Sequence, residues 1–306
     1  MTLSALRASS PTLDTAPLGV LHIIVGYTQY SIHLIQKKSV STYDIRSQEL
    51  TSRVVDTDLP TKVLEAYVVS DRIFVLQSHR EGSVIGFSVA LNGGEVKSHN
   101  TVINRRCAGG IPFNEVIYFV GGVVGSGNTL AATHKCERYG NLISSMSRHH
   151  DPSLETLTEI APLSSPRYSA GGAPIISAVH NGLIYVFGGL RMGGDVYDPS
   201  KDTWKTTVTP YKETYPTACV VVNSNIILFS AENSEIYRYL PDVDVWLTMG
   251  GGWNLFDVRH VYYNDGTMWF IGNGEQKEIL IDSKNKLTLG SSRPTIFPSG
   301  SHIAIC

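Results

Sequence analysis

Two short patterns in this chain could do chemistry. In VIYFVGGVVGSGNTLAA (116–132) an apolar run meets a Gly-rich turn, and Gly125-x-Gly127 would let backbone amides approach a pyrophosphate if a helix began at Asn128. The third glycine of that fingerprint is replaced by Leu130, which argues against a dinucleotide site. The second pattern is His149-His150, the only adjacent pair among 10 histidines. Neighbours in a strand point to opposite faces, so the two imidazoles do not converge on one metal. Cys107, Cys136, Cys219 and Cys306 lie far apart without a CxxC spacing, which excludes a zinc knuckle or disulfide framework and reads as reduced thiols. A Ser-His-Asp triad needs no proximity in sequence, and no nucleophile signature stands out. The expectation is a chain that is not an enzyme, with no catalytic residue, cofactor or metal.

Composition narrows the partners. The 306 residues are 42% apolar and 17% charged with a net charge of −2, enough to bury a core and too balanced to hold nucleic acid by a basic field. MTLSALRASSPTLDTAP at the N-terminus lacks a cationic start followed by a long apolar stretch, and no run approaches a membrane span of about 18 apolar residues. Neither nucleic acid nor membrane is expected as a partner, and the compartment is cytoplasmic, with the nucleus as the other setting.

The elements that must position any site are strands. Runs rich in Val, Ile, Tyr and Phe and bounded by Gly, Asn, Asp and Ser recur throughout, without long helical periodicity. Six align: IHLIQK (32–37), IFVLQS (73–78), IYFVGG (117–122), IYVFGG (184–189), IILFSA (226–231) and MWFIGN (268–273). Their fifth residues step by 41, 44, 67, 42 and 42. Most follow another strand across a tight turn, with Asn181-Gly182 and Asp265-Gly266 supplying the positive φ angles a two-residue hairpin needs. A third strand ends near Tyr43, Phe87, His150, Tyr197, Tyr239 or Ile281 and a short fourth follows. Four strands per repeat, six times over, predict an all-β propeller.

A second repeated element supports the register. YDPSKDTW (197–204) returns 42 residues on as YLPDVDVW (239–246), keeping Tyr, Pro and Trp. Twisted sheets bury their flat sides against one another, and Tyr and Trp on adjacent strands supply broad area with a polar tip, while the Pro fits the turn between them. HDPSLETL (150–157) has the same spacing, with His150 in the Tyr place and Leu157 in the Trp place. That assigns the excess of the 67-residue step largely to a loop over 123–149, between the second and third strands of the third repeat.

IYVFGG, then VYDP, then Trp204 resembles the kelch repeat, an apolar strand ending in Gly-Gly followed by a Tyr and a Trp. The resemblance covers roughly 18–306: it is strong in repeat 4, partial in repeat 3, and lacks the Gly doublet elsewhere. CERY, ETLTEIAPLSSPRYSAGG and NGLIYVFGG look most like the propellers of kelch-like adaptor proteins. The resemblance implies one domain over 1–306, with repeats at about 18–57, 58–98, 104–161, 166–208, 213–249 and 257–290 and a partial repeat at 293–306. Residues 1–17 could add a closing strand, giving seven blades if the termini share one and six otherwise. In that family BTB and BACK domains recruit a ubiquitin ligase and dimerise. The first 17 residues are expected to hold neither, so what carries over is partner or substrate recognition by a monomeric propeller, as an adaptor homologue or a fragment of one.

Kelch propellers bind partners on the face built from loops leading into each first strand and loops joining the second and third strands. Mapped here, the leading positions are Lys62, Arg105, Arg106, Arg167, Tyr215, Arg259 and Arg293, a set of cations and one aromatic that would suit an acidic peptide; the plainer alternative is that each Arg pairs locally within its sheet. The 123–149 loop adds Asn128, His134, Arg148 and His149. An alternative function is a small enzyme or carbohydrate-binding propeller with an axial pocket, like galactose-oxidase or sialate-isomerising propellers, though a Cys-Tyr-His copper constellation is not recognisable.

Overall fold

In the computed structural model every regular element among the described residues is a β-strand; these residues are 22–24, 31–36, 39–44, 50–55, 63–69, 72–78, 84–91, 96–103, 105, 107–125, 129–140, 156–169, 174–189, 191, 193–208, 216–230, 234–251, 260–264, 266–271, 275–282 and 286–294. The first sheet comprises β1 (His22–Ile24), β2 (Ser31–Gln36), β3 (Ser39–Asp44) and β4 (Leu50–Val54). The second comprises β5 (Val63–Val69), β6 (Arg72–Ser78), β7 (Val84–Ala90) and β8 (Val96–Ile103). The third holds β9 (Gly109–Phe113), β10 (Val116–Val120), β13 (Cys136–Gly140) and β14 (Thr156–Ile160), with the small hairpin β11 (Val123–Val124) and β12 (Ala131–Ala132) interposed. The fourth is β15 (Ile175–His180), β16 (Leu183–Gly188), β17 (Gly194–Asp198) and β18 (Thr203–Thr206). The fifth is β19 (Ala218–Val222), β20 (Asn225–Ser230), β21 (Glu235–Leu240) and β22 (Val245–Gly251), and the sixth β23 (His260–Asn264), β24 (Thr267–Ile271), β25 (Glu275–Ile281) and β26 (Leu287–Pro294).

Each four-stranded sheet is antiparallel with its strands paired in chain order, which short hairpin turns favour and which the third sheet keeps across its longer connections. The first hairpin of the fourth sheet closes through Asn181 (φ 49°) and Gly182 (φ 75°), as the sequence predicts. Asn114-Glu115 and Asn223-Ser224 adopt the same doubly left-handed turn without glycine, Asn being one of the few residues that tolerates it.

Alternation along the second strands distributes the core between sheets. Tyr118 and Val120 pack with Ile184 and Val186 of the fourth sheet, whereas Ile117 and Phe119 pack with Phe74 and Leu76 of the second. Tyr185 and Phe187 turn the other way, toward Ile226 and Leu228 of the fifth. The first strands of successive sheets are neighbours, from β1 to β5, β9, β15, β19 and β23, so the fourth strands lie outermost. Stacked sheets with first strands together are compatible with a β-propeller.

The YDPSKDTW element is scaffold. Tyr197 lies opposite Trp204 with ring centroids 4.9 Å apart, and Tyr239 opposite Trp246 at 5.1 Å. Each reaches the preceding sheet: Tyr197 meets the Tyr118 ring at 5.8 Å, and Trp204 Nε1 donates to the Ala161 carbonyl at 2.7 Å. The segment between Tyr and Trp is not free to vary at every position. Asp202 and Asp244, five residues after each Tyr, accept the phenol proton (2.7 and 2.6 Å) and also the backbone N–H of Ala161 or Val208 from the preceding sheet (2.8 and 3.1 Å). Both aspartates sit at positive φ in the turn. The repeated Asp is present in both copies of the sequence and was the missing letter of the pattern.

One boundary is corrected. The third strand of the third sheet ends at Gly140, and Tyr139, not His150, takes the Tyr place: Tyr139 pairs with Ile117 and Leu157 as Tyr197 pairs with Ile184 and Trp204. HDPSLETL repeats the proline spacing of YDPSKDTW, but the tyrosine of the pair stands before the insertion. The excess is therefore split. Gly121 and Glu137 stand 16 apart where Gly188 and Asp195 stand 7 apart, and Tyr139 and Leu157 stand 18 apart where Tyr197 and Trp204 stand 7 apart. β26 runs through Arg293 to Pro294, and the rest of the expected partial repeat, 295–306, lies outside the described residues, as do residues 1–17.

Candidate functional site

Arg105 and Arg167 precede the first strands of the third and fourth sheets, where the sequence expected exposed cations. Both are internal. Arg167 is 0% exposed; its Nε donates to Asp195 Oδ2 at 2.8 Å, NH1 to the Gly188 carbonyl and NH2 to the Gly193 carbonyl at 3.3 Å. Arg105 repeats the arrangement one sheet earlier, pairing with Glu137 and donating to the carbonyls of Gly121 and Phe119. In each, the guanidinium closes the end of the second strand against an acid near the start of the third. Burial tends to lower the Arg167 pKa, and the charge of Asp195 works against that shift. The local-pairing alternative describes these two residues, and neither is available to a partner.

The Gly121-Gly122 doublet meets the backbone of Arg167, while Gly188 lies against the Pro174 carbonyl of its own sheet. Gly121, at φ 65°, lies so close to the Arg167 carbonyl that a Cβ would fall on the oxygen, and Gly122 N–H donates to that carbonyl at 2.7 Å. The obstruction a side chain at Gly121 would cause is thus with the backbone of the next sheet.

From this junction the β11–β12 hairpin emerges. Its base is held by Thr133 N–H donating to the Gly122 carbonyl at 3.0 Å, Gly121 N–H to the Lys135 carbonyl at 3.0 Å and Leu163 N–H to the His134 carbonyl at 2.9 Å. Val123 pairs with Ala132 and Val124 with Ala131. Val124 and Leu130 are 39% and 49% exposed, and Ala131, Ala132 and His134 are exposed with them. Nothing in 123–134 is an Asp, Glu, Lys or Arg, a signal legible in the sequence that points to an apolar surface beside Asn128 and His134. A helix that began at Asn128 to face a pyrophosphate could not continue past Leu130, because Ala131–Ala132 is strand β12.

Beside the hairpin, Lys135 Nζ bridges Glu137 and Glu159, 2.7 Å from each, extending the Arg105 pair into a chain of alternating charge. Hydrogen bonds to the two carboxylates raise the Lys135 pKa, and the Lys135 hydrogen bond lowers that of exposed Glu159. Cys136, next in sequence, is buried, and that burial pushes its thiol up to about 11.

Of the remaining predicted positions, His134 is exposed at the hairpin base, and Arg293 lies in β26 opposite Gln276. Lys62, Arg106, Asn128, Arg148, His149, Tyr215 and Arg259 lie outside the described residues. Among the described residues no three His, Cys, Asp or Glu gather to hold a metal ion, and no helix is long and apolar enough to cross a membrane. No protein-family model matches the chain, and no curated protein matches it.

Proposed function

We propose that the chain is a kelch-type β-propeller serving as a non-catalytic protein-interaction module, which recognises its partner at the end of the sheets where second strands pass to third strands. The observation that carries this reading is the β11–β12 hairpin: an uncharged projection with Val124 and Leu130 exposed, rooted by four backbone hydrogen bonds in the seam between two sheets. An apolar projection on a rigid base loses little conformational entropy on binding, which favours a protein partner with an apolar groove. Because Arg105 and Arg167 are internal, the acidic peptide expected from a ring of cations becomes the weaker ligand class. The propeller reading is supported by the six sequentially paired sheets, the adjacent first strands and the recurring Tyr–Asp–Trp and Gly-Gly contacts between sheets.

The test is quantitative affinity capture from cell extract with the parent protein, a Val124→Asp/Leu130→Asp variant, and Val54→Asp as a control at an exposed residue of the first sheet. Partners retained by the control and lost by the hairpin variant support the reading. Partners retained by the hairpin variant refute it. A circular-dichroism melt shows that each protein is folded.

A further inference from the structure

We draw no further inference here: the strongest candidate, the Ser88–His99–Tyr139 cluster in the seam between the second and third sheets, carries nothing, because its side chains are buried where no substrate reaches them and nothing among the described residues shows every charged group that faces the His99 ring.

Discussion

Replacing Arg167 by Met keeps the length and apolar stem of the side chain and removes the guanidinium, which makes it a direct test of whether this residue is scaffold or site. In the structure the change breaks the 2.8 Å pair with Asp195 and strips the Gly188 and Gly193 carbonyls of their donor, all in a place with no access to water. Removing one partner of a buried ion pair costs about 3–5 kcal/mol, chiefly because the other charge is stranded. Here Asp195 keeps Arg191 at 3.3 Å and the Thr206 hydroxyl at 3.0 Å, so the lower end, about 3 kcal/mol, applies. With an unfolding entropy of roughly 0.6 kcal/mol per kelvin for a chain of this length, the melting temperature falls by about 5 °C. Adding Asp195→Leu removes the stranded carboxylate and recovers a substantial part of the loss, a coupling that a double-mutant cycle in urea reads directly. The reasoning fails if Arg167→Met melts within about 1 °C of the parent, as an exposed cation would.

Three further outcomes follow from the same contacts. Gly121→Ala loses about 2 kcal/mol in chemical denaturation, while Gly182→Ala, at positive φ with open space around it, loses only about 1; equal losses would mean that the approach of the Arg167 carbonyl does not matter. Trp204→Phe keeps an aromatic against Tyr197 and loses the Nε1–H donor to Ala161, costing about 1 kcal/mol, and Trp204→Ala, at a half-buried site, costs about 2–3, with an unshifted urea midpoint counting against the inter-sheet role. Burial first, and then the hydrogen bond to Asp244, raises the Tyr239 pKa. The folded state therefore holds that proton more tightly than the unfolded chain, and the stability it contributes is complete below about pH 10 and falls as the pH rises beyond. Tyr239→Phe flattens the alkaline limb of the stability–pH curve, and an unchanged slope would contradict the assignment.

The two kinds of residue differed in how far sequence could place them. Val, Ile and Phe of the second strands were legible because strand period and burial coincide, and the hairpin turns were legible because Asn-Gly has few other uses. Tyr139 was not, because its partner Leu157 lies across an insertion, and a proline-spaced copy of the turn imitated the register nearby. Arg105 and Arg167 were placed correctly before their first strands, but which way the guanidinium turned depended on acids 32 and 28 residues further along the chain.

The sequence by itself determined the strand content, the repeat period and the pairing of Tyr with Trp, since each rests on interactions within about 20 residues and on the alternation of one strand. Only the tertiary structure decided that Arg105 and Arg167 are internal, that Asp202 and Asp244 tie each sheet to the one before, and that the segment after the third sheet's second strand forms a hairpin with Val124 and Leu130 exposed. Those outcomes depend on what the neighbouring sheet presents. A buried carbonyl or carboxylate can turn a cation inward, and nothing in the local pattern of an Arg records whether such a partner will be there.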